Sequence, residues 1–157
     1  MPATVSIEMW ERFSFYGMQA ILAYYLYYAT TDGGLGLERA QATTLLGAYG
    51  ASVYLCTLAG GWIGDRLIGT EKTLLTGCIA LMVGHLSLST LSGGAGATFG
   101  LALIAIGSGF VKTAAITILG HAYPTDDPRR DAGFQLFYMS INVGAFASPL
   151  LTGWLRE

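Results

Sequence analysis

Residues 73–111, TLLTGCIALMVGHLSLSTLSGGAGATFGLALIAIGSGFV, contain no Asp, Glu, Lys or Arg. A helix that crosses the hydrocarbon core of a bilayer needs about 20 apolar residues. These thirty-nine residues are therefore long enough for two such helices. The small residues Ser92-Gly93-Gly94-Ala95-Gly96 near the middle predict a tight turn, because glycine adopts backbone conformations that other residues avoid. The stretch indicates two membrane-spanning helices joined by a turn.

The composition of the whole chain points to the same class of protein. Of its 157 residues, 53% are apolar and 11% are charged, whereas a soluble domain carries about 25% charged residues. Eight basic and ten acidic side chains are too few to cover a soluble globule. The apolar, aromatic composition excludes disorder, and a net charge of −2 gives no electrostatic basis for binding nucleic acid. The main solvent of this chain is lipid.

Three further uncharged stretches occupy residues 13–31, 40–64 and 132–155. Together with residues 73–111 they predict an all-α, polytopic membrane helix bundle. We predict five transmembrane helices, at about residues 3–30, 40–65, 73–91, 98–122 and 133–155. Cys56 and Cys78 fall inside two of these helices, where we expect them to act as small apolar packing residues.

Basic residues predict the orientation in the membrane. One set of loops contains four of them, Arg66, Lys72, Arg129 and Arg130, whereas the opposite set contains Arg39 and Arg156. The positive-inside rule then places the first set and the N-terminus in the cytoplasm. Four tyrosines form an aromatic belt at the outer end of helix 1, namely Tyr24, Tyr25, Tyr27 and Tyr28. We expect an integral protein of a plasma membrane or bacterial inner membrane, with no cleaved signal peptide.

Four charged residues lie within predicted helices instead of loops. Glu8, Glu11 and Arg12 share one face of helix 1, because positions i, i+3 and i+4 are neighbours on a helix. Lys112 lies near the centre of helix 4, where insertion of a charge costs about 2.5–3.5 kcal/mol. One interpretation is an anion-recognising cavity lined by Arg12 and Lys112, with carboxylates nearby that accept a proton. The other is a buried structural ion pair between helices 1 and 4.

The motifs around these charges resemble those of the proton-dependent oligopeptide transporters, a branch of the major facilitator superfamily. The segment EMWERFSFYG, residues 8–17, is similar to the ExxERFxYYG motif. Three other segments resemble the superfamily loop between helices 2 and 3, the family's helix 4, and its second signature entering helix 5; these are residues 60–69, 107–112 and 129–144. The four motifs occur in order and cover essentially the whole chain.

The resemblance implies roles for individual residues. Arg12 and Lys112 match the cations that receive the C-terminal carboxylate of a peptide, and Glu8 and Glu11 match carboxylates of proton coupling. Three more positions match substrate-binding side chains, namely Tyr16, Tyr54 and Asn142. Asp65 and Arg66 match a conformational loop. Purely structural alternatives stay open: a packing role for Tyr54, an interhelical hydrogen bond for Asn142, and an exposed ion pair for Asp65 and Arg66.

The chain also departs from the family pattern. Phe15 replaces one of the two motif tyrosines, and Gln19 stands where members often have an arginine. Helix 2 has no histidine, which favours a glutamate-based scheme of the bacterial type. We expect His85, in the middle of helix 3, to make an interhelical hydrogen bond, and we expect His121 to be interfacial.

The function that this resemblance implies is uptake of di- and tripeptides by proton symport, with protons as the coupling ion and no cofactor. Five helices fall short of a six-helix half, so we expect an N-terminal part of a longer transporter that lacks its partner half. Two alternatives remain: a carrier of nitrate or another small anion, and a small channel that oligomerises through Gly60-xxx-Gly64. No pattern of catalytic or metal-binding residues indicates an enzyme.

Overall fold

The computed structural model describes residues 2–32, 34–91 and 94–155, and the regular structure in these ranges is helical. The five long helices are α1 (Pro2–Tyr27), α2 (Arg39–Ile63), α3 (Thr70–Thr90), α4 (Gly94–Ala122) and α5 (Arg130–Trp154). A short 3₁₀ helix, Thr30–Asp32, follows α1, and a π-helical turn, Gly64–Ile68, continues α2. The predicted all-α bundle with five helices is confirmed.

Several helix ends differ from the predicted bounds. α1 ends at Tyr27 instead of residue 30, and α5 begins at Arg130 instead of residue 133. α3 begins at Thr70, directly after Gly69, whose φ of 84° lies in the left-handed region that favours glycine. α4 begins at Gly94, so Gly94–Gly96 form its first turn instead of a loop. Three residues used in the predictions, Ser92, Gly93 and Arg156, lie outside the described residues.

Four segments of the described chain are long and apolar enough to cross a membrane: Arg39–Ile68, Thr70–Thr90, Ala95–Ala122 and Arg130–Trp154. α1 is long enough, with 26 residues, but its three charged side chains, Glu8, Glu11 and Arg12, lower its hydropathy. These three side chains are buried inside the bundle. The charge on α1 therefore faces protein and not lipid, as expected for ionisable groups in a membrane helix.

Helix α4 is the centre of the bundle and packs against α2 and α3, while α1 packs mainly against α5. Glycines allow the closest of these approaches. A Cβ atom added to Gly84 of α3 would lie 3.0 Å from the carbonyl oxygen of Gly100 in α4, and one added to Gly107 would lie 2.8 Å from that of Gly77. These glycines let α3 and α4 pack closely, because nothing larger than hydrogen fits at these positions.

The Gly60-xxx-Gly64 motif also packs inside the bundle. A Cβ atom on Gly60 would lie 2.9 Å from the Phe110 ring of α4, and one on Gly64 would lie 3.2 Å from the Thr73 hydroxyl of α3. The two glycines therefore hold α2 against its own neighbours. The oligomeric channel alternative needs this motif to face another copy, and the structure gives it no such surface.

Candidate functional site between helices α1, α2, α4 and α5

Helix α1 presents a charged face to the interior of the bundle. The exposed fractions of Glu8 and Arg12 are 0% and 6%, and Glu11 is equally enclosed. Gly144 of α5 permits this enclosure, since a Cβ atom there would lie 3.3 Å from the Cβ atom of Arg12. The Ser148 hydroxyl of α5 donates to the Phe13 carbonyl of α1. Helix α5 therefore packs closely against the segment of α1 that carries the charged residues.

Arg12 lies between the two carboxylates. Its Nε atom donates to Oε2 of Glu11 and lies 3.5 Å from Oε1 of Glu8. Its guanidinium carbon also lies 5.1 Å from the ring centroid of Phe15. Ser108 of α4, itself fully buried, donates its hydroxyl to Oε1 of Glu11 at 2.6 Å. Pairing and hydrogen bonding of this kind make buried charges tolerable in a low-dielectric interior.

The cluster has unused hydrogen-bonding capacity. Within the described ranges, neither carboxylate oxygen of Glu8 accepts a hydrogen bond, and Nη2 of Arg12 donates none. A buried polar atom without a partner costs about 1–3 kcal/mol. The arrangement therefore favours binding of a further polar group, which could accept from Arg12 or donate to Glu8.

Lys112 is placed differently from Arg12, although both cations lie on buried faces of their helices. The side chain of Lys112 is half-buried, and its Nζ atom lies 4.7 Å from the ring centroid of Tyr54. No carboxylate of the described residues lies within 4 Å of it. The predicted alternative of a structural ion pair between helices 1 and 4 is therefore not what the structure shows.

Glu8 and Lys112 line the same cavity of about 250 Å³. The other lining side chains come from α2, α4 and α5, and they are Thr57, Thr113, Ile116, Phe137, Tyr138 and Ile141. The cavity joins an acidic group of α1 to a cation of α4 across a mostly apolar wall. It is thus the place where α1 and α4 can act on one ligand.

The other predicted substrate-binding residues, Tyr16, Tyr54 and Asn142, are exposed. Tyr54 is 66% exposed, and Tyr16 is also exposed while its ring packs edge-on against Phe15. The Nδ2 atom of Asn142 donates to the Tyr138 carbonyl of its own helix at 2.9 Å. Within the described residues, Tyr54 is not packed in the core and the hydrogen bond of Asn142 stays within its own helix.

Asp65 and Arg66 lie apart from the charged cluster, in the π-helical turn after α2. Both side chains are exposed. Among the described residues, neither has an ion-pair partner within 4 Å. The alternative of an exposed Asp65–Arg66 ion pair is therefore not seen.

The two histidines have different surroundings. The Ser14 hydroxyl of α1 and Nε2 of His85 in α3 share a hydrogen bond of 2.7 Å, so the predicted interhelical bond is confirmed. His121 is exposed in the last turn of α4. Cys56 and Cys78 are half-buried, unpaired thiols.

Sequence reasoning missed two side chains of this region. Ser108 precedes Lys112 by one helical turn, so its position on the same face of α4 was a usable signal. Tyr49 of α2 is buried beside Phe15, with ring centroids 6.0 Å apart. No motif marks Tyr49, and its place is evident from the packing of α1 on α2.

The sequence profile of the POT family matches residues 71–157, more than half of the chain. This chain belongs to the POT family. A di-/tripeptide transporter of Lactococcus lactis is 47% identical over 96% of this chain and 31% of its own length. Dipeptide and tripeptide permease A of Cronobacter turicensis is 43% identical over 97% of this chain and 30% of its own length.

Solved structures give the same result. The peptide transporter POT in complex with sulfate superimposes with a TM-score of 0.91 at 45% identity, covering 96% of this chain and 30% of that one. A POT family transporter in complex with a thioalcohol-conjugated peptide has a TM-score of 0.90 at 41% identity, with 94% and 30% covered. The chain thus spans about three tenths of the length of the proteins it matches. They are transporters and not enzymes, and this POT family chain is an integral membrane protein.

Proposed function

We propose that this chain forms the N-terminal part of a secondary active transporter that takes up di- and tripeptides by proton symport. The observation that carries the proposal is the buried Glu8–Glu11–Arg12 cluster beside the cavity that Lys112 lines. Relatives that are di-/tripeptide transporters support it. An intramembrane ionisable cluster of this kind is rare unless it serves transport.

Substrate recognition begins with the two cations. Lys112 contacts a tyrosine ring and no carboxylate of the described residues, so it is available to an incoming anion. Arg12 has one donor atom without a hydrogen-bond partner. A peptide's C-terminal carboxylate would pair with both cations. Tyr16, Tyr54 and Asn142 are exposed and would contact the remainder of the peptide.

Proton coupling follows from competition for Arg12. In the resting cluster Arg12 compensates the charge of both Glu8 and Glu11. A substrate carboxylate that draws Arg12 away leaves at least one buried glutamate without a counter-charge. Burial disfavours the charged form of such a group, so that glutamate takes up a proton. Substrate and proton are thereby bound together.

Two further assignments complete the proposal. Arg66, Lys72, Arg129 and Arg130 face the cytoplasm together with the N-terminus, which follows from the positive-inside rule. Asp65 and Arg66, exposed after α2, contact other helix ends in one conformation of the transport cycle. The missing part of the transporter would supply the second half, which rocks against this one.

The test uses the full-length transporter that carries this segment, reconstituted in liposomes with an imposed proton gradient. We expect uptake of a labelled dipeptide, competition by unlabelled di- and tripeptides, and no competition by nitrate. Lys112→Ala should abolish uptake, whereas the matched control Lys72→Ala, an exposed lysine of α3, should retain it. Competition by nitrate would favour the anion carrier, and uptake without a gradient would contradict symport.

A second experiment addresses the glutamates. Glu8→Gln and Glu11→Gln remove the ionisable groups while keeping side-chain size, so we expect loss of gradient-driven uptake. Peptide exchange across the membrane without a gradient should persist in at least one of them. Gradient-driven uptake at the wild-type rate in both variants would contradict the proposed coupling.

A further inference from the structure

Tyr49 is a buried polar residue that the proposed function leaves without a role. It lies in α2, is 9% exposed, and packs in an apolar core with Val53, Ile104 and Ala105. Within the described part of the chain its hydroxyl has no hydrogen-bond partner. Phenylalanine would fill the same space without the desolvation cost of an unpaired hydroxyl. The hydroxyl therefore calls for a functional explanation.

Phe15 connects Tyr49 to the charged cluster. The rings of Tyr49 and Phe15 stack with centroids 6.0 Å apart and an interplanar angle of 19°. The guanidinium carbon of Arg12 lies 5.1 Å from the centroid of the same Phe15 ring. Tyr49 and Arg12 thus both lie next to the Phe15 ring.

The unpartnered atoms of this region have complementary chemistry. Nη2 of Arg12 can only donate a hydrogen bond, and the ionised oxygens of Glu8 can only accept one. A phenolic hydroxyl can do both. In the described residues these atoms lack partners at the same time, so one rearrangement, or one bridging water, would satisfy several of them together.

We propose that Tyr49 is a positioning residue for Arg12, whose guanidinium its hydroxyl orients, directly or through one water, once the pairs with Glu8 and Glu11 open. The inference rests on the proposed function, in which Arg12 leaves its glutamates to receive a carboxylate. Tyr49 does not touch the substrate. It stabilises the orientation in which Arg12 is ready for the substrate, so its effect falls on substrate affinity.

The first test is Tyr49→Phe in the full-length transporter, with dipeptide uptake measured over a range of concentrations. Loss of one hydrogen bond predicts roughly a fivefold rise in KM, with Vmax unchanged. The matched control is Tyr27→Phe, since Tyr27 is an exposed tyrosine at the outer end of α1. An unchanged KM, or an equal rise in the control, would overturn the inference.

The second test does not depend on transport. Combining Glu8→Gln with Glu11→Gln opens the ion pairs of Arg12. In this background Tyr49→Phe, Arg12→Lys and both together are purified, and their melting temperatures are compared with that of the background protein. Arg12→Lys keeps the charge but removes Nη2, so coupled residues should give non-additive shifts in melting temperature. Additive shifts would overturn the inference whatever the uptake data show. If the unmodified protein imports no peptide, the proposed function fails, and the melting temperatures of these variants alone decide the role of Tyr49.

Discussion

Arg12 and Lys112 are both cations at membrane depth, but their surroundings differ. Arg12 is 6% exposed and pairs with two glutamates that lie on its own helix. Lys112 is half-buried, and its ammonium lies over the Tyr54 ring instead of a carboxylate. Among the described residues, one cation is thus compensated by carboxylates and the other has none within 4 Å. Loss of Arg12 should therefore reduce stability as well as substrate binding, whereas loss of Lys112 should reduce substrate binding with little effect on stability.

The largest effect should come from Arg12→Ala. It leaves Glu8 and Glu11 buried without a counter-charge, which destabilises a protein by about 3–5 kcal/mol. We expect a large drop in melting temperature or no folded protein, measured in detergent at neutral pH. Arg66→Ala removes an exposed arginine and is the control that should melt like the unmodified protein. If Arg12→Ala melted at the same temperature as the unmodified protein, Arg12 would not be the cation on which stability depends.

Ser108→Ala should have the next largest effect. The variant removes the hydroxyl that donates to Glu11 at 2.6 Å, and a hydrogen bond to a charged group contributes about 1.5–3 kcal/mol. Thermal melting should show a clear but smaller loss than for Arg12→Ala. Ser89→Ala is the matched control, since Ser89 is exposed and its hydroxyl donates to the Leu86 carbonyl of its own helix. Equal melting of both serine variants would mean that Glu11 does not need this donor.

Lys112→Met should change stability little, because it keeps the apolar stem and removes one cation–π contact of about 0.5–1 kcal/mol. The same variant should lose peptide uptake. Melting and uptake measured on one preparation separate the two consequences. A loss of stability as large as that of Ser108→Ala would show that Lys112 is a structural cation like Arg12, and the comparison would fail.

The smallest effect concerns a surface ion pair in the turn before α5, in which Arg129 is exposed and Asp127 is half-buried. Hydrogen bonds from the Arg129 side chain, and then from its backbone N–H, hold the pKa of Asp127 below its usual value. A carboxylate with a depressed pKa stabilises the fold above its unfolded pKa, and that stability is lost as the pH falls through the folded pKa. Asp127→Asn should therefore melt slightly lower at neutral pH and equally in strong acid. A neutral-pH loss comparable to that of Ser108→Ala would contradict the view that exposed pairs contribute little.

Much of the fold was predictable because the signals are local. Each uncharged stretch is long and apolar enough to cross the bilayer without help from the others. The positions of the charged residues along the chain therefore predicted five helices. The shared face of Glu8, Glu11 and Arg12 followed from helical periodicity, and the bond made by His85 followed from its depth in a helix. The start of α4 at Gly94 was missed because glycine is compatible with both a turn and a membrane helix.

Other features depended on which faces meet. Gly60 and Gly64 read equally well as an oligomerisation motif and as an internal contact, and only the packing of α2 on α3 and α4 distinguishes them. Asn142 could bond a neighbouring helix or its own, and the structure shows the latter. Ser108 and Tyr49 matter because they contact Glu11 and Phe15 of α1, a helix that is distant from both in the sequence.

Composition and motif spacing were sufficient for the membrane environment, the helix count and the family, because lipid constrains every segment separately and motifs lie within single helices. The distinction between a compensated Arg12 and an uncompensated Lys112 required the tertiary structure. It depends on distances between side chains of four helices, and a helical pattern specifies a face but not its neighbour. In this protein, the packing of the helices determines which of the two cations lies beside carboxylates.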